Sequence, residues 1–168
     1  MARAEHSAFE RLFETHAEPL FAFLAYRTGD RQLAEDLVAG TFERMLRTRV
    51  RFDPRRGSEK NWVYAIALNL ARDEVRRRNV ELRALQRAGT RELREPDDGA
   101  FGAVHDRDEL GSALLALSDE EREAIALRFG SDLKLREVAR VLGESESAVE
   151  KRISRGLKKL RDELQSQA

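Results

Sequence analysis

The stretch LREVARVLGESESAVEKRISRGLKKLR, from Leu135 to Arg161, leaves this chain little conformational freedom. Its apolar residues recur at helical spacing up to Leu142, stop at Gly143 and resume within a few residues at a Ser/Glu cluster. Gly143 supplies a left-handed residue that ends a helix, and Ser145 or Ser147 can cap the next one. Val138, Ala139, Val141 and Leu142 form the inner side of the first helix; Val149, Ile153, Leu157 and Leu160 form that of the second. Two short helices joined by so tight a turn, with small Ala139 at the crossing, make a helix-turn-helix. In that motif the second helix lies in the DNA major groove with its first residues against base edges. Ser147, Ala148, Lys151, Arg152 and Arg155 fall on its outer side, with Ser145 at its start. Arg155, Lys158 and Lys159 are placed for phosphates, which dominate affinity. The competing reading is a plain helical hairpin with a solvated charged face. The Ala-then-Gly spacing, the Ser/Glu restart and the basic run coincide here, which favours the DNA-binding motif.

The rest of the chain keeps the same period. With 37% charged residues, three prolines and few β-branched runs, the 168 residues read as all-α. A first helical run starts near Ser7 with Phe9, Leu12, Phe13 and His16. Pro19 either interrupts it or opens the next helix as a first-turn proline. Leu20, Phe21, Phe23 and Leu24 carry the apolar face to about Arg27, and Gly29-Asp30 is a turn. A second helix covers roughly Arg31 to Thr48, with Leu33, Leu37, Val38, Phe42, Met45 and Leu46 on one stripe. Gly40 in its middle costs about 1 kcal/mol relative to Ala. RFDPRRGS, Arg51 to Ser58, is a loop, and Ser58 caps a helix that runs to about Asn79. In that helix Trp62, Ile66 and Leu70 share a face, and Trp62 reads as core rather than as a stacking platform. A polar, helix-compatible stretch follows to about Leu93. EPDDGAFGAVHD is a linker by composition. The expected architecture is two small helical domains, 1–94 and 107–168, joined by a flexible linker at 95–106. In the second, a short helix covers about Arg107 to Leu117. Ser118 to Glu121 then form a capping box, which opens a helix with Ile125, Leu127 and Phe129 as its core, ended by Gly130.

Composition removes several function classes. The absence of cysteine rules out disulfides, thiolate metal sites and a cysteine nucleophile, and fits a reducing cytoplasm. His6, His16 and His105 are scattered, so no metal, cofactor or catalytic site is read, and the expectation is a protein that is not an enzyme. No apolar run approaches the ~20 residues that span a bilayer, and MARAEHSAFERLF lacks a secretory signal's apolar stretch, so a cytoplasmic, nucleoid-associated protein without membrane insertion is expected. Basic and acidic residues balance at 31 each, so only local clustering can point to nucleic acid. Between Arg44 and Lys60 there are seven basic residues (Arg44, Arg47, Arg49, Arg51, Arg55, Arg56 and Lys60) against Asp53 and Glu59. Such a loop suits a strand backbone, and Gly57 and Ser58 offer donors to a base held out of the stack.

With GDRQLAEDLVAGTFERML, RFDPRRGS, NWVYAIALNLARDEVRRR, LLALSDEEREAIALRF and the helix-turn-helix in this order, the chain resembles a bacterial sigma factor of the extracytoplasmic-function group, sigma-70 family, from about Phe9 to Leu164. The resemblance implies an alternative-sigma initiation factor, a monomer when free, that directs core RNA polymerase to promoters. It implies that the first domain binds the β′ clamp through Glu35, Asp36, Leu37 and Phe42. The same domain would melt the minus-ten element through Arg55, Arg56, Gly57, Ser58 and Lys60, with Asn69, Arg72, Arg76 and Arg77 along the duplex just upstream. The second domain would read the minus-thirty-five element through Ser145, Ser147, Ala148, Lys151, Arg152, Arg155 and Lys158 and touch the β flap. Promoter DNA, duplex and melted, and an anti-sigma factor complete the implied partners. Four positions depart from the family pattern. Ala39-Gly40 replaces the usual Gln and acidic residue and implies a weaker clamp contact. Glu144 after the turn glycine and Glu150 imply an altered promoter preference. Two other readings are a helix-turn-helix regulator that does not engage polymerase and a sigma mimic that binds an anti-sigma factor.

Overall fold

The computed structural model describes residues 2–47, 52–89, 113–114 and 116–166, with side chains from Ser7 onward. The linker at 95–106 and most of the helix expected from Arg107 lie outside the described residues. Helices α1 (Ala2–Thr28), α2 (Arg31–Arg47) and α3 (Glu59–Arg87) pack together in the first half. In the second, α4 (Asp119–Ile125) passes into a π-helical turn (Ala126–Gly130), followed by α5 (Leu135–Leu142) and α6 (Glu146–Ser166).

Local chemistry sets most helix ends. Gly29 adopts φ 68° after α1, and the Asp30 carboxylate accepts the Leu33 N–H at 2.9 Å to start α2. Ser58 Oγ accepts the Asn61 N–H at 3.2 Å at the start of α3. Ser118 and Glu121 complete the expected capping box, each side chain accepting the other's backbone N–H, at 3.2 and 3.1 Å. Gly143 takes φ 69° between α5 and α6, and Ser145 rather than Ser147 is the cap, accepting the Ala148 N–H at 3.2 Å.

Three helical readings need correction. First, Pro19 neither breaks α1 nor opens a new helix; α1 runs straight through it. An interior proline costs about 3 kcal/mol, and burial on either side opposes that cost: His16, Leu20, Phe23 and Leu24 are all buried. Second, α3 does not end near Asn79 but runs on through the helix-compatible stretch to Arg87, with Arg76–Asp73, Arg77–Glu74, Arg77–Glu81 and Arg78–Glu74 pairs along its surface. Third, Phe129 is not core. The π-helical turn, closed by Ser131 N–H to Ala126 carbonyl at 3.0 Å, inserts an extra residue, so Leu127 is fully buried while Phe129 is 55% exposed. Leu157 is also exposed, and Gly156 takes the inward place on α6; a Cβ there would lie 2.6 Å from Ile125 Cδ1.

The two halves do not stand apart. One apolar cluster runs from Leu20, Phe23, Phe42, Tyr64 and Leu68 into Ala124, Leu127, Leu133, Val138, Leu142 and Val149. Helix α5 packs on α3, and the π-helical turn on α1. Within the first half, Arg11 and His16 of α1 grip Glu59 in the first turn of α3, at 2.9 and 3.3 Å. The Arg11 guanidinium holds the Glu59 carboxyl below its usual range. In the second half Lys159 binds Glu121 at 2.8 Å. That bond lowers the Glu121 pKa and ties α6 to α4, so Lys159 is not the free phosphate ligand expected.

Two glycines should respond in opposite senses. A Cβ at Gly40 would meet only Leu70 Cδ1, at an ordinary 3.8 Å. Gly40→Ala should therefore stabilise the fold by about 1 kcal/mol. Gly156→Val should destabilise it by about 1–3 kcal/mol, because its added carbons overlap Ile125 and crowd Glu121. Urea denaturation of both variants against the parent checks the pair.

Candidate nucleic-acid interface

The start of α6 is an exposed, partly basic surface. Ser145, Ser147, Ala148, Lys151, Arg155 and Lys158 are all exposed there. Arg152 is the exception among the expected base readers. Its side chain is only 14% exposed and folds back on Glu144 at 2.7 Å, with Glu120 at 3.8 Å. The tight turn brings Glu144 under the first turn of α6, and a half-buried guanidinium takes the nearest carboxylate. The unusual Glu144 thus has a structural partner, one that sequence spacing did not reveal.

The basic loop is built by its own caps. The Asp53 carboxylate accepts the Arg55 N–H at 3.0 Å and sets a 3-10 turn at Pro54–Arg56. Gly57 then adopts φ 142°, a conformation open chiefly to glycine. Arg55 and Arg56 are exposed and form no ion pair among the described residues, and Lys60 is half-buried. Beneath the loop lies a cavity of about 200 Å³ whose wall includes Phe52, Arg56, Ser58, Asn61 and Trp62. Trp62 is half-buried against the core cluster, as expected, yet it also faces this cavity, its ring 6.0 Å from Phe52. Asn61 was not singled out from the sequence. It is 7% exposed, and neither its Nδ2 nor its Oδ1 has a hydrogen-bond partner within the protein. A buried amide without partners is costly in a folded chain, and only the tertiary arrangement reveals it.

On α3, Asn69 is exposed, but the arginines are engaged. Arg76 pairs with Asp73 at 2.8 Å and Arg77 with Glu74 at 2.7 Å. Exposed pairs of this kind are weak, so both can exchange onto a phosphate. Arg72 does not line an open duplex face; it binds Glu123 of α4. Glu123 is 3% exposed and Arg27 of α1 is 4% exposed. Arg27 donates to Glu123 Oε1 from Nε at 2.9 Å and Nη2 at 2.7 Å. Arg72 donates to Oε2 from Nη2 at 2.8 Å and Nε at 3.3 Å. The bond to Glu123 raises the Arg72 pKa.

The acidic-apolar patch expected on α2 divides in two. Glu35 and Asp36 are exposed, Glu35 pairing with Arg31 at 3.4 Å. Leu37 and Phe42 instead face the core, at 8% and 4% exposure. Phe42 is covered by Phe9 and Phe13 at 5.9 and 4.9 Å. The exposed apolar groups near this helix are Phe13 and Leu46. Among the described residues no group of three His, Cys, Asp or Glu is placed to hold a metal, and no helix is long and apolar enough to cross a membrane.

Residues 12–80 match the family model for Sigma-70 region 2, and residues 107–160 match that for Sigma-70, region 4. RNA polymerase sigma factor CarQ of Myxococcus xanthus is 35% identical over 158 residues, covering 92% of this chain and 88% of CarQ. ECF RNA polymerase sigma factor SigX of Bacillus subtilis is 32% identical, covering 94% and 84%. ECF RNA polymerase sigma factor BldN of Streptomyces coelicolor is 30% identical over 86% of this chain, which spans 56% of BldN's length. Among solved structures, CnrH in complex with the cytosolic domain of CnrY aligns at TM-score 0.71 with 27% identity, covering 97% of this chain and 91% of CnrH. The sigma factor RpoE of Bartonella quintana, in complex with the anti-sigma factor NepR, has the same fold at TM-score 0.75 and 23% identity, covering 94% and 97%.

The Glu144–Arg152 pair can be tested through duplex binding. Glu144→Gln should free Arg152 and steepen the dependence of affinity on salt by about one unit of slope. Arg155→Ala should reduce that slope by about one and weaken all sequences alike. Fluorescence anisotropy at several salt concentrations reads both.

Proposed function

The chain belongs to the sigma-70 family, in its extracytoplasmic-function group, and from that premise we propose that it is an alternative sigma factor that brings core RNA polymerase to particular promoters and helps open them. The observation that carries this reading is the ordered pair of family matches, at 12–80 and 107–160, over a helix-turn-helix with a basic exposed face. Such a protein makes and breaks no bonds. Its work is differential binding: an unpaired base held in a pocket offsets part of the cost of unstacking it.

The roles divide by surface. Ser145, Ser147, Ala148, Lys151, Arg155 and Lys158 meet the minus-thirty-five element, with Arg152 joining only after release from Glu144. Arg55, Arg56, Gly57, Ser58 and Lys60 hold the melted minus-ten strand over the cavity walled by Asn61 and Trp62. Asn69, Arg76 and Arg77 follow the neighbouring duplex. Glu35 and Asp36 meet the polymerase clamp, with Phe13 and Leu46 supplying the apolar part that Leu37 and Phe42 do not present. Residues 1–94 and 107–168 act as the two DNA-contacting units, and 95–106 connects them. CnrH is solved with the cytosolic domain of CnrY and RpoE with the anti-sigma factor NepR; an anti-sigma factor is proposed as a partner here. The cytoplasm, as part of the nucleoid, is the proposed location.

Run-off transcription with core polymerase tests the function; transcripts should start at specific promoters only when this protein is present. Within that assay, reversing the charge of Arg55 and Arg56 should abolish permanganate reactivity of the minus-ten strand while closed complexes persist. Undiminished opening on duplex templates would remove the loop from the mechanism. Asn61→Ala should leave the melting temperature unchanged or higher, since it removes a buried amide without partners. It should also relax preference at one minus-ten base by about 1–3 kcal/mol.

A further inference from the structure

Arg72 lies on α3 between Asn69 and Arg76, on the helix assigned above to the promoter duplex, yet it is occupied by a carboxylate from the other half of the chain. We propose that Glu123, clamped between Arg27 and Arg72, is an intramolecular phosphate mimic that latches the free protein shut, with the minus-ten cavity covered by α5. This inference rests on the sigma-factor reading.

The arrangement has the features of a phosphate clamp. Two guanidinium groups direct N–H donors at one anion: Arg27 places Nε and Nη2 on Oε1, while Arg72 places Nη2 on Oε2 and Nε between the two oxygens. Such charge-assisted N–H donors serve carboxylate and phosphate oxygens alike, so an anion of either kind can occupy Arg72. Carboxylates near the cluster add to the balance, Asp119 lying 3.6 Å from Arg27. Arg122, also on α4, is half-buried beside Arg27, and burial lowers its pKa. In so crowded a cationic site an anion is required, and Glu123 supplies it while the halves are together. A strand phosphate can supply it to Arg72 once they part.

The latch and the lid act together. Arg140 and Val141 of α5 stand on the rim of the cavity that holds Asn61 and Trp62. A Cβ built on Gly57 would lie 4.0 Å from Arg140 Nη1 and 3.9 Å from Asn61 Nδ2, so the α5 guanidinium reaches the loop itself. Because α5 packs directly on α3, promoter DNA and α5 compete for the same surface. The orphan amide of Asn61 opposes closure. It gains water or a base when α5 leaves, which keeps the closed state from being irreversible. Closure lowers apparent affinity for DNA in proportion to the fraction of molecules that are open.

The test uses the full chain and its single tryptophan, which lines the covered cavity. The E123Q variant should increase acrylamide quenching of Trp62, enlarge the radius of gyration in small-angle scattering and tighten polymerase-free binding to a pre-melted minus-ten fragment by about tenfold or more. Adding that fragment to the parent protein should produce the same expansion. R140A removes only the exposed lid group. It should tighten binding to the pre-melted fragment but not to intact duplex, and it keeps the idea testable if E123Q fails to fold. Unchanged quenching, size and affinity in E123Q, or in a poorly folded E123Q case an R140A protein identical to the parent, would overturn the latch. If the variants open as described but holoenzyme made with the parent yields no transcript from any promoter, the latch stands and the sigma-factor reading fails.

Discussion

The carboxylate of Glu123 is the point on which the two halves of this protein agree. It is almost completely removed from water, and so is one of its two arginine partners. Charges in that position persist only when paired and fully hydrogen-bonded, because desolvation otherwise exceeds the attraction. Here both oxygens are satisfied, by one arginine from α1 and another from α3. Such a cluster tolerates little displacement. It therefore specifies one docking of α4 on the first three helices in a way that the apolar contacts around it, being non-directional, do not.

The π-helical turn after α4 serves the same docking. A regular helix would spread Ile125, Leu127 and Phe129 over its surface. The extra residue rotates the chain so that Ala124, Ala126 and Leu127 join the cluster with α1, while Phe129 turns outward under Arg128 at 5.4 Å. The turn then lets Leu133 reach the core before α5 begins. Alpha-helical geometry alone would have left that junction one residue short.

Charge on the outer surfaces is arranged differently. Arg76, Arg77 and Arg78 of α3 sit three or four residues from acidic partners, so that stretch is nearly neutral while free. The loop before it and the start of α6 keep cations such as Arg55, Arg56, Lys151 and Arg155 exposed. Weak surface pairs and open cations both suit a polyanionic partner. The first allow exchange, and the second provide attraction at a distance.

What the residues determine by themselves is local. Helix starts at Ser58 and Ser118, stops at Gly29 and Gly143, and the helix-turn-helix all follow from short-range hydrogen bonding, backbone sterics and spacing, which a single stretch of chain carries. Pro19, Leu157 and Arg72 depart from expectation because their environment is made by segments far away in sequence, whereas Phe129 and Arg152 depart because of a nearby π-helical turn and a nearby carboxylate. Burial around α1 outweighs a proline, a π-helical turn re-aims a phenylalanine, and a glycine that admits Ile125 displaces a leucine. Glu144 and Glu123 engage two arginines expected on DNA, Arg152 from its place on the helix-turn-helix and Arg72 from the family resemblance. Asn61 carries no local signal, because an amide becomes conspicuous only when folding buries it beside a cavity without a protein partner. Periodicity reports which face of a helix is apolar. Only the packed chain decides which distant group meets that face, because pairing and burial energies depend on distances between elements that no local pattern encodes.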